Sequence, residues 1–81
     1  MTPFTDEQLE HLTDRQREIT TMVARGLDNA DIAAALTLSP ATGRTHVSRC
    51  MAKLRCRTRA QLVVYAYETG LVRAGHERRA N

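Results

Sequence analysis

Four helix-start signals spaced along one short chain constrain its fold more than any other feature. Thr13 is followed three residues later by Gln16, and Thr58 by Gln61. At that spacing the first side chain can accept from the second residue's backbone N–H while the second reaches back, closing both ends of a capping box. Asp28 can cap another helix, with Asp31 in the first turn beside the positive end of the dipole. Ser39-Pro40 pairs a capping hydroxyl with proline at the first helical position, where no N–H is needed. Gly26 and Gly70 follow the first and last of these segments as stops. The predicted helices run over about 13–25, 29–36, 40–54 and 59–69.

Apolar residues recur within these spans at helical spacing. They are Ile19, Met22 and Val23, then Ile32, Ala33 and Leu36, then Val47, Cys50, Met51 and Leu54. In the last span Leu62, Val63, Ala66 and Thr69 face inward, and Leu71-Val72 can fold back on the core. No segment alternates as a strand would, so the fold class is all-α, a four-helix bundle. Eighty-one residues make a single domain. A chain of this size buries only about 60% of its unfolded surface. The three aromatic residues, Phe4, Tyr65 and Tyr67, leave the core to aliphatic side chains. Residues 1–11 read as a leader or linker remnant with one helical turn after Thr5, 12–72 as the domain, and 73–81 as a flexible polar tail.

Charge is divided along the chain. Residues 1–31 carry seven acids and three Lys/Arg, whereas residues 32–81 carry nine Lys/Arg and two acids. Between Asp31 and Glu68 there is no acid, but there are Arg44, Arg49, Lys53, Arg55, Arg57 and Arg59. Such a basic surface suits a polyanion, or is simply a solvated face. No apolar run reaches the roughly 20 residues of a membrane span, and the polar, acidic start does not resemble a signal peptide. These features point to a cytoplasmic protein with no membrane partner. Cys50 and Cys56 fit neither a disulfide framework nor a zinc spacing and read as reduced thiols. His46 and Cys50 are one helical turn apart but bring no further ligand, so no metal is expected. Asp6, Glu7 and Glu10 form an acidic leader, and Asp14 and Glu18 a solvated pair. Nothing pairs a nucleophile with a positioned base. The reading is therefore of a non-enzyme with no cofactor and no small-molecule ligand.

The second and third helices are separated by only about three residues around Thr37-Leu38-Ser39. Helices joined so tightly make a helix-turn-helix, whose second helix enters the major groove of DNA. On the third helix Ala41, Arg44, Thr45 and Ser48 lie away from the buried stripe, with His46, Arg49 and Lys53 flanking. Ala41, Thr45 and Ser48 are small enough for the backbone to approach base edges, and Arg44 can donate to guanine O6 and N7. The hydroxyls of Ser39 and Thr42, beside the helix N-terminus, suit phosphate.

Several stretches in order resemble the LuxR/FixJ-type (GerE-like) helix-turn-helix domain. They are residues 12–19 (LTDRQREI), 24–33 (ARGLDNADIA), 38–42 (LSPAT), 45–49 (THVSR), 53–54 (KL), 59–61 (RAQ) and 70–72 (GLV). The resemblance spans about residues 12–72. It implies a four-helix fold and a role in bacterial transcription, often as the output domain of a two-component response regulator. It implies base contacts from Ala41, Arg44, Thr45 and Ser48. It implies phosphate contacts from Asn29, Thr42, His46, Arg49, Lys53 and Arg59, joined by Ser39 from the reading above. The partners it implies are double-stranded DNA and a second copy of the chain; RNA polymerase is a further candidate, needed above all if the domain reads promoters as a sigma factor does. The dimer seam would lie on the fourth helix at Ala60, Gln61, Val64 and Glu68. Val64 and Tyr67, apolar yet off the inward stripe, agree with a partner there, though surface scatter explains them as well.

Two positions depart from the family pattern. Gly43 stands where a branched apolar residue is usual, in line with Val47, Cys50 and Leu54. That predicts an underfilled core, a loose first turn of the third helix, and a gain in stability from Gly43→Val. Arg55 stands where glycine is usual after the third helix. Two other functions remain open on the sequence alone. One is a promoter-reading domain like the last part of a sigma factor. The other is a helical protein adaptor with a weak or vestigial DNA face, for which Gly43 is the best support. The absence of a receiver domain and the linker-like Leu9–Leu12 stretch favour a fragment of a larger regulator over a stand-alone one.

Overall fold

Each helix begins where a side chain can cap it and ends where the backbone can turn left-handed. The computed structural model describes residues 11–73 and shows four helices there: α1 Asp14–Ala24, α2 Asn29–Ala35, α3 Pro40–Lys53 and α4 Arg59–Glu68. No strand occurs among the described residues. The expected spans overshoot by a residue at their ends because they counted caps. Thr13 is an N-cap, and Arg25, Leu36, Leu54 and Thr69 are C-caps. The helical turn expected after Thr5 and the tail from residue 74 onward lie outside the described residues.

The N-caps follow the sequence closely. Thr13 Oγ1 accepts from Gln16 N–H at 3.1 Å, and Gln16 Oε1 accepts from Thr13 N–H at 3.0 Å. Asp28 and Asp31 form a second reciprocal box, with Asp31 N–H donating to Asp28 at 2.8 Å and Asp28 N–H to Asp31 at 3.4 Å. Ser39 Oγ accepts from Thr42 N–H, and Pro40 opens α3. The box expected at α4 is only half made. Thr58 Oγ1 accepts from Gln61 N–H, but Gln61 Oε1 takes the N–H of Arg57 rather than that of Thr58. The preceding loop presents the Arg57 amide to it instead.

All four helices stop on a residue with positive φ: Gly26 (93°), Thr37 (58°), Arg55 (57°) and Gly70 (80°). After α1, α2 and α3 the next N–H closes the helix end. Leu27 donates to Met22 O (3.1 Å), Leu38 to Ala33 O (2.8 Å) and Cys56 to Met51 O (2.8 Å). This is the Schellman arrangement, for which glycine is the usual left-handed residue.

The core joins residues from all four helices: Ile19 and Val23, Ile32, Val47 and Cys50, and Leu62 and Tyr65, with Leu12, Leu54 and Cys56 from the flanking segments. The expectation of an aliphatic core is corrected by Tyr65. It has no solvent exposure and is the largest of the fully buried side chains. It lies three residues from Leu62, in phase with the inward stripe. Thr20 is also fully buried, which the pattern of apolar residues did not reveal. A smaller cluster of Ala24, Ala66, Val72 and Leu71 seats the chain after α4, as expected for Leu71-Val72. Burial pushes the Cys50 thiol pKa up, with Thr20 and Lys53 pulling it back, and burial pushes Cys56 up too. Both are buried thiols whose surroundings favour the protonated form.

Gly43 overturns the expectation of a void. It faces inward and is buried, but the space is taken. A Cβ there would meet Ala33 Cβ at 2.9 Å and the Asn29 carbonyl oxygen at 3.3 Å. Glycine on α3 lets its first turn lie directly against α2.

Candidate nucleic-acid interface

With α2 pressed against Gly43, and Val47 and Cys50 in the core, the opposite side of α3 is left to solvent. Ala41, Arg44, Thr45 and Ser48 are all exposed, as are Thr42, Arg49 and Lys53. His46 is half-buried at the edge of this face. Ala52 continues the line Ala41–Thr45–Ser48 by another helical turn and is exposed as well. The base-facing set expected from the sequence ends at Ser48, although the same spacing extended by one turn reaches Ala52. Fourteen residues give α3 a length of about 21 Å, and a helix fits the roughly 12 Å major groove of B-DNA.

The polar groups on this face differ in how free they are. No hydrogen bond or ion pair within the described residues holds Arg44, Ser48 or Arg49. Thr45 Oγ1 donates to the Ala41 carbonyl of its own helix at 3.0 Å. Ser39 Oγ donates to Thr42 Oγ1 at 2.8 Å, so the two hydroxyls form a pair at the start of α3. Lys53 Nζ donates to Gln16 Oε1 on α1 at 3.3 Å and keeps further N–H groups for another acceptor. Helix α3 contains Arg44, Arg49 and Lys53 and no acid, and exposed Arg55 and Arg57 follow it. The charged residues of this face are all basic, and the positive end of the α3 dipole lies at Ser39.

Two of the expected phosphate ligands are placed differently. Arg59 and Asn29 are half-buried and bonded to each other, Arg59 Nη1 donating to Asn29 Oδ1 at 2.8 Å. The other terminal nitrogen, Nη2, donates to the Leu27 carbonyl at 2.6 Å. On α4, Ala60, Gln61, Val64, Tyr67 and Glu68 are all exposed, while Leu62, Tyr65 and Ala66 face the core. No cluster of three or more His, Cys, Asp or Glu side chains able to hold a metal occurs among the described residues. Nor is any described helix long and apolar enough to cross a membrane.

A short turn between α2 and α3, a second helix exposed along one face, and basic residues on that face define a helix-turn-helix domain of the DNA-binding kind. The chain belongs to the family described as "Bacterial regulatory proteins, luxR family" (GerE), which matches residues 10–66. Among curated relatives, the response regulator proteins VraR of Staphylococcus aureus, Staphylococcus saprophyticus and Staphylococcus epidermidis are each 39% identical over 66 residues. That alignment covers 82% of this chain but 32% of each relative, so the chain spans about a third of their length. The packing of Ala33 against Gly43 also removes the main support for an adaptor with a decayed DNA face.

Proposed function

We propose that this domain reads a specific double-stranded sequence in the cytoplasm as the output domain of a response regulator. Its relatives' names support the last part. In this reading Ala41, Arg44, Thr45 and Ser48 meet base edges, and Arg44 supplies the long, forked donor. Ser39, Thr42, His46, Arg49 and Lys53 hold the phosphates on either side. Two copies join through the exposed face of α4 to read paired half-sites. The observation that carries the reading is the solvent-exposed row Ala41–Arg44–Thr45–Ser48 on an acid-free helix.

The test begins with selection of bound duplexes from a random pool, then compares two variants on the selected site and on unrelated DNA. Arg44→Ala weakens binding to the selected site by about 1–3 kcal/mol and narrows the gap to unrelated DNA. Lys53→Ala weakens all sequences alike and lowers the slope of log affinity against log salt by about one. Absence of salt-sensitive binding to any duplex sinks the reading. Identical behaviour of the two variants sinks the division between base and phosphate contacts.

A further inference from the structure

We propose that Arg59 and Asn29 form a clip that fixes the angle between α4 and the reading helix, and that neither is primarily a phosphate ligand. The proposal rests on the DNA-reading function above and assigns these two residues a positioning role within it. The first observation is an oddity of charge. Arg59 is the first residue of α4, where the helix dipole disfavours a cation, and the first turn of α4 holds no acid to offset it. The guanidinium is turned away from its own helix. It donates to the Leu27 carbonyl, just past the C-terminal end of α1, and to the side chain of Asn29, the first residue of α2. One planar fork therefore ties the start of α4, the end of α1 and the start of α2 at a single corner. Arginine suits this because its two terminal nitrogens are held in fixed relation, unlike a flexible ammonium.

The second observation connects that corner to α3. The Asn29 backbone carbonyl lies against Gly43, 3.3 Å from where a Cβ would stand. Asn29 thus bears Arg59 on its side chain and the first turn of α3 on its backbone. Arg44, the long donor of the base-facing row, is the next residue after Gly43. The path from α4 to the reading helix runs through one hydrogen bond, Arg59 to Asn29, and one close contact, Asn29 to Gly43, with the Leu27 bond bracing it from the side. Because α4 would carry the seam with a second copy, the clip sets how far apart two reading helices stand and at what angle. Its product is a strict requirement on half-site spacing, not affinity for one half-site.

The experiment uses two variants that disturb the clip from opposite ends. Arg59→Gln removes the guanidinium and its charge, whereas Asn29→Ala removes an acceptor and leaves the charge in place. Binding is measured to a single half-site and to paired half-sites whose spacer is changed one base pair at a time, each step being about a tenth of a helical turn. For the unaltered domain a one-base-pair change lowers affinity about tenfold, and in both variants that penalty shrinks to about threefold or less. Half-site affinity stays within about threefold and the salt slope is unchanged in both. A slope lower by about one in Arg59→Gln, with the spacing penalty intact, assigns Arg59 to phosphate and overturns the clip. So does a spacing penalty that survives in full in either variant. Should Arg59→Gln not fold, Asn29→Ala decides the matter by itself, because an intact spacing penalty in it overturns the proposal. Backbone residual dipolar couplings of the DNA-free domain give a second readout. They should report α4 reoriented relative to α2 and α3 in both variants, and an unchanged orientation refutes the clip. If no duplex binds any of the three proteins, the DNA-reading function fails while the couplings still judge the clip.

Discussion

Gly43 shows how one missing side chain can be read in two opposite ways. Its position in line with Val47, Cys50 and Leu54 was legible, because helical periodicity fixes which face a residue occupies. Whether that face was empty or crowded was not legible, because the answer depends on how closely α2 approaches. The structure places Ala33 Cβ 2.9 Å from a Cβ at position 43, a separation that real Cβ atoms do not tolerate. Its neighbour cannot swing away, since an alanine has no side-chain torsion to turn and the Asn29 carbonyl belongs to the backbone. Gly43→Val is therefore expected to destabilise the domain by about 1–3 kcal/mol through overpacking, outweighing the roughly 0.5 kcal/mol by which valine's helix propensity exceeds that of glycine. The midpoint of urea unfolding checks the sign. A midpoint above that of the unaltered chain would return Gly43 to the status of an unfilled hole. Tyr65 is the complementary case. Its three-residue spacing from Leu62 fits the inward stripe, but the inward set expected from the sequence, Leu62, Val63, Ala66 and Thr69, passed over it, and Val63 and Thr69 are only half-buried.

Helix beginnings were legible in this chain and helix endings only in part. A start depends on a side chain reaching an amide two or three residues ahead, so its chemistry is written locally in Thr13, Asp28, Ser39 and Thr58. An ending depends on a left-handed backbone turn, which glycine marks after α1 and α4. After α2 and α3 the same turn is made by Thr37 and Arg55, with φ of 58° and 57°, and no residue type announces it. These two turns lie at either end of the reading helix. A β-branched threonine in this conformation is strained by roughly 1–2 kcal/mol. The strain persists because packing on both sides fixes the turn: Leu38 N–H is held by Ala33, and α3 begins immediately afterwards. Thr37→Gly removes the strain but gives the unfolded chain more freedom, which returns roughly 0.5–1 kcal/mol. The net expectation is a gain of up to about 1.5 kcal/mol, seen as a rise in the thermal midpoint of roughly 4–8 °C for each kcal/mol gained in a domain of this size. Arg55→Gly should shift the midpoint the same way while weakening binding to all DNA through the lost charge. If Thr37→Gly lowers the midpoint instead, the threonine must contribute contacts that exceed its backbone strain.

Two exposed faces stand out among the described residues, the basic face of α3 proposed for nucleic acid and a partly apolar face on α4. Val64 and Tyr67 are 49% and 41% exposed, and they sit on α4 with Ala60, Gln61 and Glu68 beside them. Residues 60, 64 and 67 fall along one ridge, opposite the buried Leu62, Tyr65 and Ala66. A two-fold interface uses the same patch on both copies, so one ridge of this kind can supply both halves. The patch is small, which makes free association weak, but DNA with two half-sites holds two copies at high effective concentration. A substitution on the ridge should therefore leave the fold and single half-site binding nearly untouched and act on paired sites alone. For Val64→Asp the expected change in unfolding stability is within about 0.5 kcal/mol, as for other exposed positions away from caps and core. Two carboxylates brought together across a two-fold axis repel, and the loss on a paired site should reach about a hundredfold. Tyr67→Ala removes apolar area without adding charge and should lose less, roughly tenfold. Mobility shifts on one and two half-sites, with sedimentation to count the copies bound, distinguish these effects. If Val64→Asp binds the paired site as tightly as the unaltered domain, α4 is not the seam. The two exposed apolar side chains would then be ordinary surface residues, and paired reading would have to come from another part of the chain.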